Sequence, residues 1–264
     1  MNHLKTLNVV NMTRKPAVAG TFYPKNPEEL KRQVQDFLAQ AEVIDTQGKL
    51  KALIVPHAGY IYSGIVAAQA YKLLESYSFK KVILLGPSHY QAFHGASIAE
   101  EDFQTPLGIV KVGNTESWLK EDLVISFPDA HQQEHSLEVQ LPFLQETLGE
   151  FELYALVLGT VNEEKLAKYL ATKVDDDTLI IVSSDLSHYL EYQKAIMKDN
   201  DTISKILNDD PGSLDACGKV GIKVLMHLAS IKGWPPQLLD YRNSGDTAGD
   251  KTKVVGYAAI AYTD

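Results

Sequence analysis

Three short apolar runs in this chain end in the same way, on a chain-breaking or small polar residue followed closely by a histidine. KALIVPHAGYIYSG (residues 51–64) is apolar from Ala52 to Val55, stops at Pro56 and presents His57. KVILLGPSHY (81–90) stops at Gly86 and Pro87 and presents His89. TLIIVSSDLSHY (178–189) passes into two serines, then Asp185 and His188. Apolar runs this short, bounded by breakers, read as parallel strands buried on both faces. In an open parallel sheet, functional groups collect beyond the carboxyl ends of the strands. Three histidines just past three such ends can therefore converge on one site.

The remaining chain is consistent with one large α/β domain. It has 264 residues, 45% of them hydrophobic, enough for a sizeable core, and 22% charged, near the globular norm. The net charge is -9, and no basic cluster suits a phosphate backbone, so nucleic acid is not expected as a partner. No apolar run approaches the roughly 18 residues of a membrane span. The N-terminus lacks a secretory apolar core, and a single cysteine rules out an internal disulfide. A cytoplasmic protein without a membrane partner is expected.

Residues 1–15 read as a loose arm and PAVAGTFYP (16–24) as an irregular segment. Asn26 and Pro27 open a helix with Leu30, Val34, Phe37 and Ala41 on one face. A second helix is expected from near Ser63, and short strands over 95–127. A helix kinked near Pro142 is expected within 129–149. A strand over 151–159 and helices over 162–174, 191–208 and 219–232 follow. GWPPQ is a break, and a strand over 253–262 closes the chain.

Each chemical candidate has a structural alternative. Histidine is the commonest metal ligand and a good general base, but one histidine after a strand is more often structural. Cys217 precedes a predicted helix and Lys219. A helix N-terminus would depress its pKa and favour a thiolate, whereas free cysteines usually sit buried as small hydrophobes. Asp185 and His188 would share a face if their segment were helical, with Asp185 orienting an imidazole or serving as an N-cap. His131 and His135 flank Glu134, but not in the H-E-x-x-H order, so a polar helix start is equally compatible. GSLDACGKV (212–220) only superficially suggests a phosphate loop, and no G-x-G-x-x-G follows a strand.

Taken in order, PAVAGTFYP, VPHAGYIYSG, LLGPSHY, EHSLEVQLPFL, SSDLSHY, ACG and SGDTAGDK…VVGYAA resemble the Memo family, whose microbial members are called AmmeMemoRadiSam system protein B. The resemblance covers residues 16–260. It is also a resemblance to class III extradiol dioxygenases, and it implies a single-domain, three-layer α/β/α fold with a mostly parallel central sheet. It implies metal ligands at His57, His89 and Cys217, with His188 as acid/base and Asp185 travelling with it; Glu134 and His135, from their own spacing, are further catalytic candidates. The implied cofactor is a divalent metal, iron first, with copper or zinc as the others. A thiolate in place of the dioxygenase carboxylate departs from the usual triad. The implied activity is that of a non-haem iron or copper redox protein. A non-catalytic module for phosphotyrosine-like or aromatic peptide ligands and a metal-dependent hydrolase are the alternatives. Small molecules or peptides are the expected ligands, and a radical-SAM protein and an Amme-domain protein the implied associates.

Overall fold

The computed structural model describes residues 13–264. β1 (Thr13–Arg14) precedes α1 (Pro27–Gln40), which starts as expected, with the Asn26 side chain accepting the Glu29 N–H at 2.9 Å. β2 (Leu50–Val55), α2 (Tyr60–Tyr71) and β3 (Lys81–Pro87) follow. The stretch 95–127 holds β4 (Ala96–Ile98), β5 (Asp102–Thr105), β6 (Gly108–Val110) and β7 (Val124–Ile125). Next come α3 (Asp129–Gln132), α4 (Leu141–Leu148), β8 (Glu152–Leu158), α5 (Glu163–Leu170) and β9 (Thr178–Ser183). The last third is β10 (His188–Leu190), α6 (Tyr192–Leu207), α7 (Lys219–Lys232), β11 (Pro236–Asn243), α8 (Ser244–Thr247) and β12 (Val254–Thr263).

The main sheet runs β10-β12-β2-β9-β3-β8-β4-β7, with β11 also paired to β12. Its centre, β2-β9-β3-β8, is parallel, and β12 and β4 flank it antiparallel. Alternate residues of a strand face opposite sides, so an uninterrupted apolar run feeds two cores at once. Leu53, Val55, Val82, Leu84, Leu179 and Ile181 pack beneath α1, α2 and α4. Ala52, Ile54, Ile83, Leu85, Ile180 and Val182 pack beneath α5, α6 and α7. The result is the three-layer α/β/α arrangement that the family resemblance implies. Each fully buried aliphatic side chain stabilises by roughly 1.5–3 kcal/mol, so both layers are needed to hold the sheet. No helix of the described residues is long and apolar enough to cross a membrane.

Three expectations are corrected, and one strand goes beyond them. The loose arm falls largely on residues 1–12, outside the described residues, but Thr13 and Arg14 are not loose. They pair in parallel with Asp102 and Phe103 of β5, and Arg14 is buried. The kinked helix over 129–149 is broken outright into α3, an irregular stretch, a 3₁₀ turn at Glu138–Gln140, and α4. Pro142 sits in the first turn of α4, where its missing N–H costs no helical bond. β11 was not anticipated, because PQLLDYRN is too polar to register as a buried strand, and it lies outermost beside β12. Residues 184–187 carry no helix, so Asp185 and His188 share no helical face.

Candidate metal centre

β2, β9 and β3 are neighbours in register, with Val55 opposite Ser183 and Leu85 opposite Val182. The turns beyond their carboxyl ends therefore emerge side by side and bring His57 and His89 together, while His188, beyond β9, stays on the pocket wall and the third member of the cluster is His135. His57, His89 and His135 each offer one nitrogen, and the three atoms lie within 4.8 Å of one another. The His135 ring stacks on His89 at 4.6 Å between centroids and meets His57 edge-on at 5.5 Å. Phe22, from the irregular PAVAGTFYP segment, backs His135 edge-on at 4.8 Å.

Each ring is held by different means. The buried His57 places Nδ1 2.8 Å from Ser183 Oγ, and its backbone N–H donates to Asp185 Oδ1 at 2.8 Å. His89 is gripped by Glu134, whose carboxylate accepts its backbone N–H at 2.7 Å and pairs with Nδ1 at 2.9 Å. The Ser136 N–H donates to the same carboxylate at 2.8 Å. Burial would raise Glu134, but these bonds prevail and hold it down at about 2. Burial likewise opposes a charge on His89, yet Glu134 holds its pKa above the usual imidazole value. Burial, reinforced by the neighbouring rings, pushes His57 down to about 3 and His135 down to about 4.

This donor set fits a metal ion. Buried polar atoms are normally satisfied. His135 Nδ1 is buried with no hydrogen-bond partner among the described residues. Low pKa values keep His57 and His135 neutral, the form in which imidazole ligates. With Nδ1 of His57 and His89 engaged from behind, Nε2 of each is left for the cluster.

Cys217 sits beside this cluster but is not one of its three members. Its Sγ lies 3.2 Å from His57 Nε2 and accepts the Asp185 N–H at 3.2 Å. The expected depression of the thiol pKa is not found. Burial and the Asp185 carboxylate outweigh the N–H groups of Asp185 and Gly218, and push it up to about 12. Gly218 brings the start of α7 against the end of β9. A Cβ there would meet Ser183 O and Ser184 Cβ, both at 2.6 Å. Gly218→Ala should therefore cost about 1–3 kcal/mol in chemical unfolding and displace Cys217. A loss below about 0.5 kcal/mol would mean the contact relaxes freely.

The other candidates separate. Asp185 is buried, which raises its pKa against the pull of the His57 N–H, and it caps no helix. His188 is exposed, with Nδ1 2.8 Å from Leu186 O, and lines the pocket above the cluster. Glu134 hydrogen-bonds His89 and Ser136, and its Oε1 lies 3.5 Å from His135 Nδ1. His131 lies away from the site, its Nε2 3.1 Å from Ser97 O and its own carbonyl accepting from Arg14. The pocket has a volume of about 660 Å³. Phe22, Tyr62, Tyr189 and Tyr257 line it together with Lys253 and Asp250. Sequence reasoning did not single out Ser183 or Gln140, although both stand inside the SSDLSHY and EHSLEVQLPFL blocks.

The family model described as Memo-like protein matches residues 14–261. A MEMO1 family protein of Aquifex aeolicus is 39% identical, with 94% of this chain and 98% of the relative covered. One from Thermoplasma acidophilum is 34% identical over the same shares, 94% and 98%. One from Ignicoccus hospitalis is 37% identical, covering 95% and 99%. With the match spanning nearly every described residue, this chain belongs to the Memo family.

Proposed function

We propose that this chain is a non-haem metal protein of the oxidoreductase class, with iron as the preferred ion and copper as the next. The observation that supports this reading is the approach of three imidazole nitrogens to within 4.8 Å at the floor of an open pocket. His57 and His89 are the shared ligands, and His135 and Cys217 are the two candidates for the next position. Metal–nitrogen and metal–sulfur bonds of about 2.0 and 2.3 Å put the two donor atoms about 3.0 Å apart at a right angle and about 3.5 Å apart at the tetrahedral angle. The separation of 3.2 Å between Cys217 Sγ and His57 Nε2 falls inside that range. A redox-active ion held here would supply the electron-transfer steps that protein side chains cannot. His188 holds Nδ1 against Leu186 O, leaving Nε2 to take or return a proton at the pocket wall. Asp185 positions the backbone of His57 and does not itself ligate. The aromatic walls accept a planar or apolar group. A second reading, metal-dependent hydrolysis, rests on the donor set, since three imidazoles also suit zinc and its activated water.

Metal titration under anaerobic conditions, on protein carrying no histidine tag, tests both the reading and the ligand set. Stoichiometric iron binding followed by oxygen uptake supports an oxidoreductase. Binding of zinc alone, with esterase or phosphatase turnover, transfers support to the hydrolase. Failure of every divalent ion to bind, with peptide binding retained, would leave a ligand-binding module and sink the metal reading. Proton release separates the ligand sets. His57 and His135 are neutral at ordinary pH and release nothing, and release from His89 fades as pH rises. A thiol held near 12 must lose its proton to ligate. About one proton released per ion, persisting at pH about 9, is the result expected for Cys217 as a ligand. A release that vanishes there assigns the position to His135.

A further inference from the structure

His57 can use either ring nitrogen, and only one tautomer leaves Nε2 bare. The neighbours of Ser183 Oγ decide between them. Ser183 Oγ lies 2.6 Å from the Ser136 carbonyl, which can only accept, so the single hydroxyl hydrogen is committed there. It also lies 2.8 Å from Gln140 Nε2. The orientation of that amide is fixed, because the same Nε2 donates to the Pro56 carbonyl at 2.9 Å. At the other end, Gln140 Oε1 accepts the Tyr71 hydroxyl at 2.9 Å. Ser183 Oγ thus gives one hydrogen bond and receives one from Gln140. The capacity that remains facing His57 Nδ1 is an acceptor lone pair.

We propose that Ser183 is a positioning residue that locks His57 as the Nδ1–H tautomer, with the direction of the bond imposed by the Ser136 carbonyl and the Gln140 amide. The proposal builds on the metal reading above and reaches beyond it to residues that touch no ion. His57 and His89 are backed unequally, one by a neutral hydroxyl and the other by a carboxylate. Ser136 and Glu134 lie two residues apart, so one short segment sets the proton position of both rings and carries His135 between them. With the proton on Nδ1, the bare Nε2 of His57 faces Cys217 Sγ at 3.2 Å. The other tautomer would point an N–H at the place where an ion must sit.

The test is nitrogen NMR of the full chain without metal, labelled at histidine, with His57 assigned by its loss in His57→Gln. The wild type is expected to show a protonated Nδ1 and a bare Nε2. Ser183→Ala should lose that single tautomer and bind zinc roughly 10- to 100-fold more weakly. Ser183→Thr, which keeps the hydroxyl, should restore both. A wild-type His57 protonated at Nε2, or an alanine variant with an unchanged tautomer, overturns the proposal. The tautomer is read without any ion, so a failure of the metal reading shows as absent zinc binding while the nitrogen spectrum still decides this one. A fall in zinc affinity with the tautomer intact in a folded Ser183→Ala also counts against it.

Discussion

Replacing Arg14 with methionine should cost about 3–5 kcal/mol of folding stability. The guanidinium donates to the His131 carbonyl, the Glu134 carbonyl and Glu138 Oε2, each at 2.6 Å. The Arg14 and Glu138 side chains are 2% and 0% exposed, so solvent cannot replace a lost partner. Glu138 in turn accepts the Ala17 and Val18 N–H groups and the Tyr23 hydroxyl at 2.5 Å. Methionine fills much of the same space but leaves the carboxylate buried and uncompensated. Urea unfolding should show a lower midpoint with little change in slope. Metal affinity should fall too, because the clamp holds the backbone that delivers Glu134 and His135. Arg14→Lys keeps the charge but not the fork, and should recover only part of the loss. A loss of less than about 1 kcal/mol for methionine would show the pair to be dispensable.

Glu134→Gln is the second large effect, expected to weaken metal binding roughly 10- to 100-fold. An amide can accept the His89 Nδ1–H through its oxygen. Its nitrogen then takes the Oε2 position and faces the His89 backbone N–H, donor against donor. The pH dependence of the metal-free protein reports the same contact. Glu134 is lowered from 4.5 to about 2 on folding, so its contribution is fully present above the unfolded value and disappears as pH falls through the folded one. That window is worth about 3 kcal/mol. His89 is raised by the same ion pair, so the stabilisation recedes again as pH climbs through the raised imidazole value. Thermal melts should therefore show a plateau bounded by Glu134 below and His89 above. Glu134→Gln should flatten the acidic limb, and an acidic limb identical to wild type would assign that limb to other carboxylates.

The sheet centre was readable because its strands are short apolar runs with breakers at both ends, and that pattern leaves few alternatives. The site was readable to the extent that it hangs on those ends, which is how His57, His89 and the SSDLSHY loop were placed. His135 was harder to place. Its spacing pairs it with His131, yet residues 133–137 are not helical, and of the two only His135 reaches the cluster. Periodicity could not show this, since the carbonyls of His131 and Glu134 are taken by Arg14, more than a hundred residues away. The raised thiol at Cys217 is hidden from the sequence for a related reason. Proximity to a helix start is visible in sequence, whereas burial beside Asp185 is a property of the folded chain. Ser183 and Gln140 carry no signal of their own, because serine and glutamine are ordinary residues until their partners are known.

The placement of β12 bears on how the protein is made. This strand, Val254–Thr263, does not cap the sheet but lies inside it, between β2 on one side and β11 on the other. On a ribosome, β2 emerges some two hundred residues before its antiparallel neighbour exists. Until then one flank of the parallel centre is an open row of unpaired backbone groups, the kind of edge that recruits other chains. Tyr257 and Val255 of the same strand also line the pocket. Synthesis thus completes the cavity only with β12, and a nascent chain stalled before that strand would be sticky and unfinished at the same place, a state for which chaperone holding is the natural remedy.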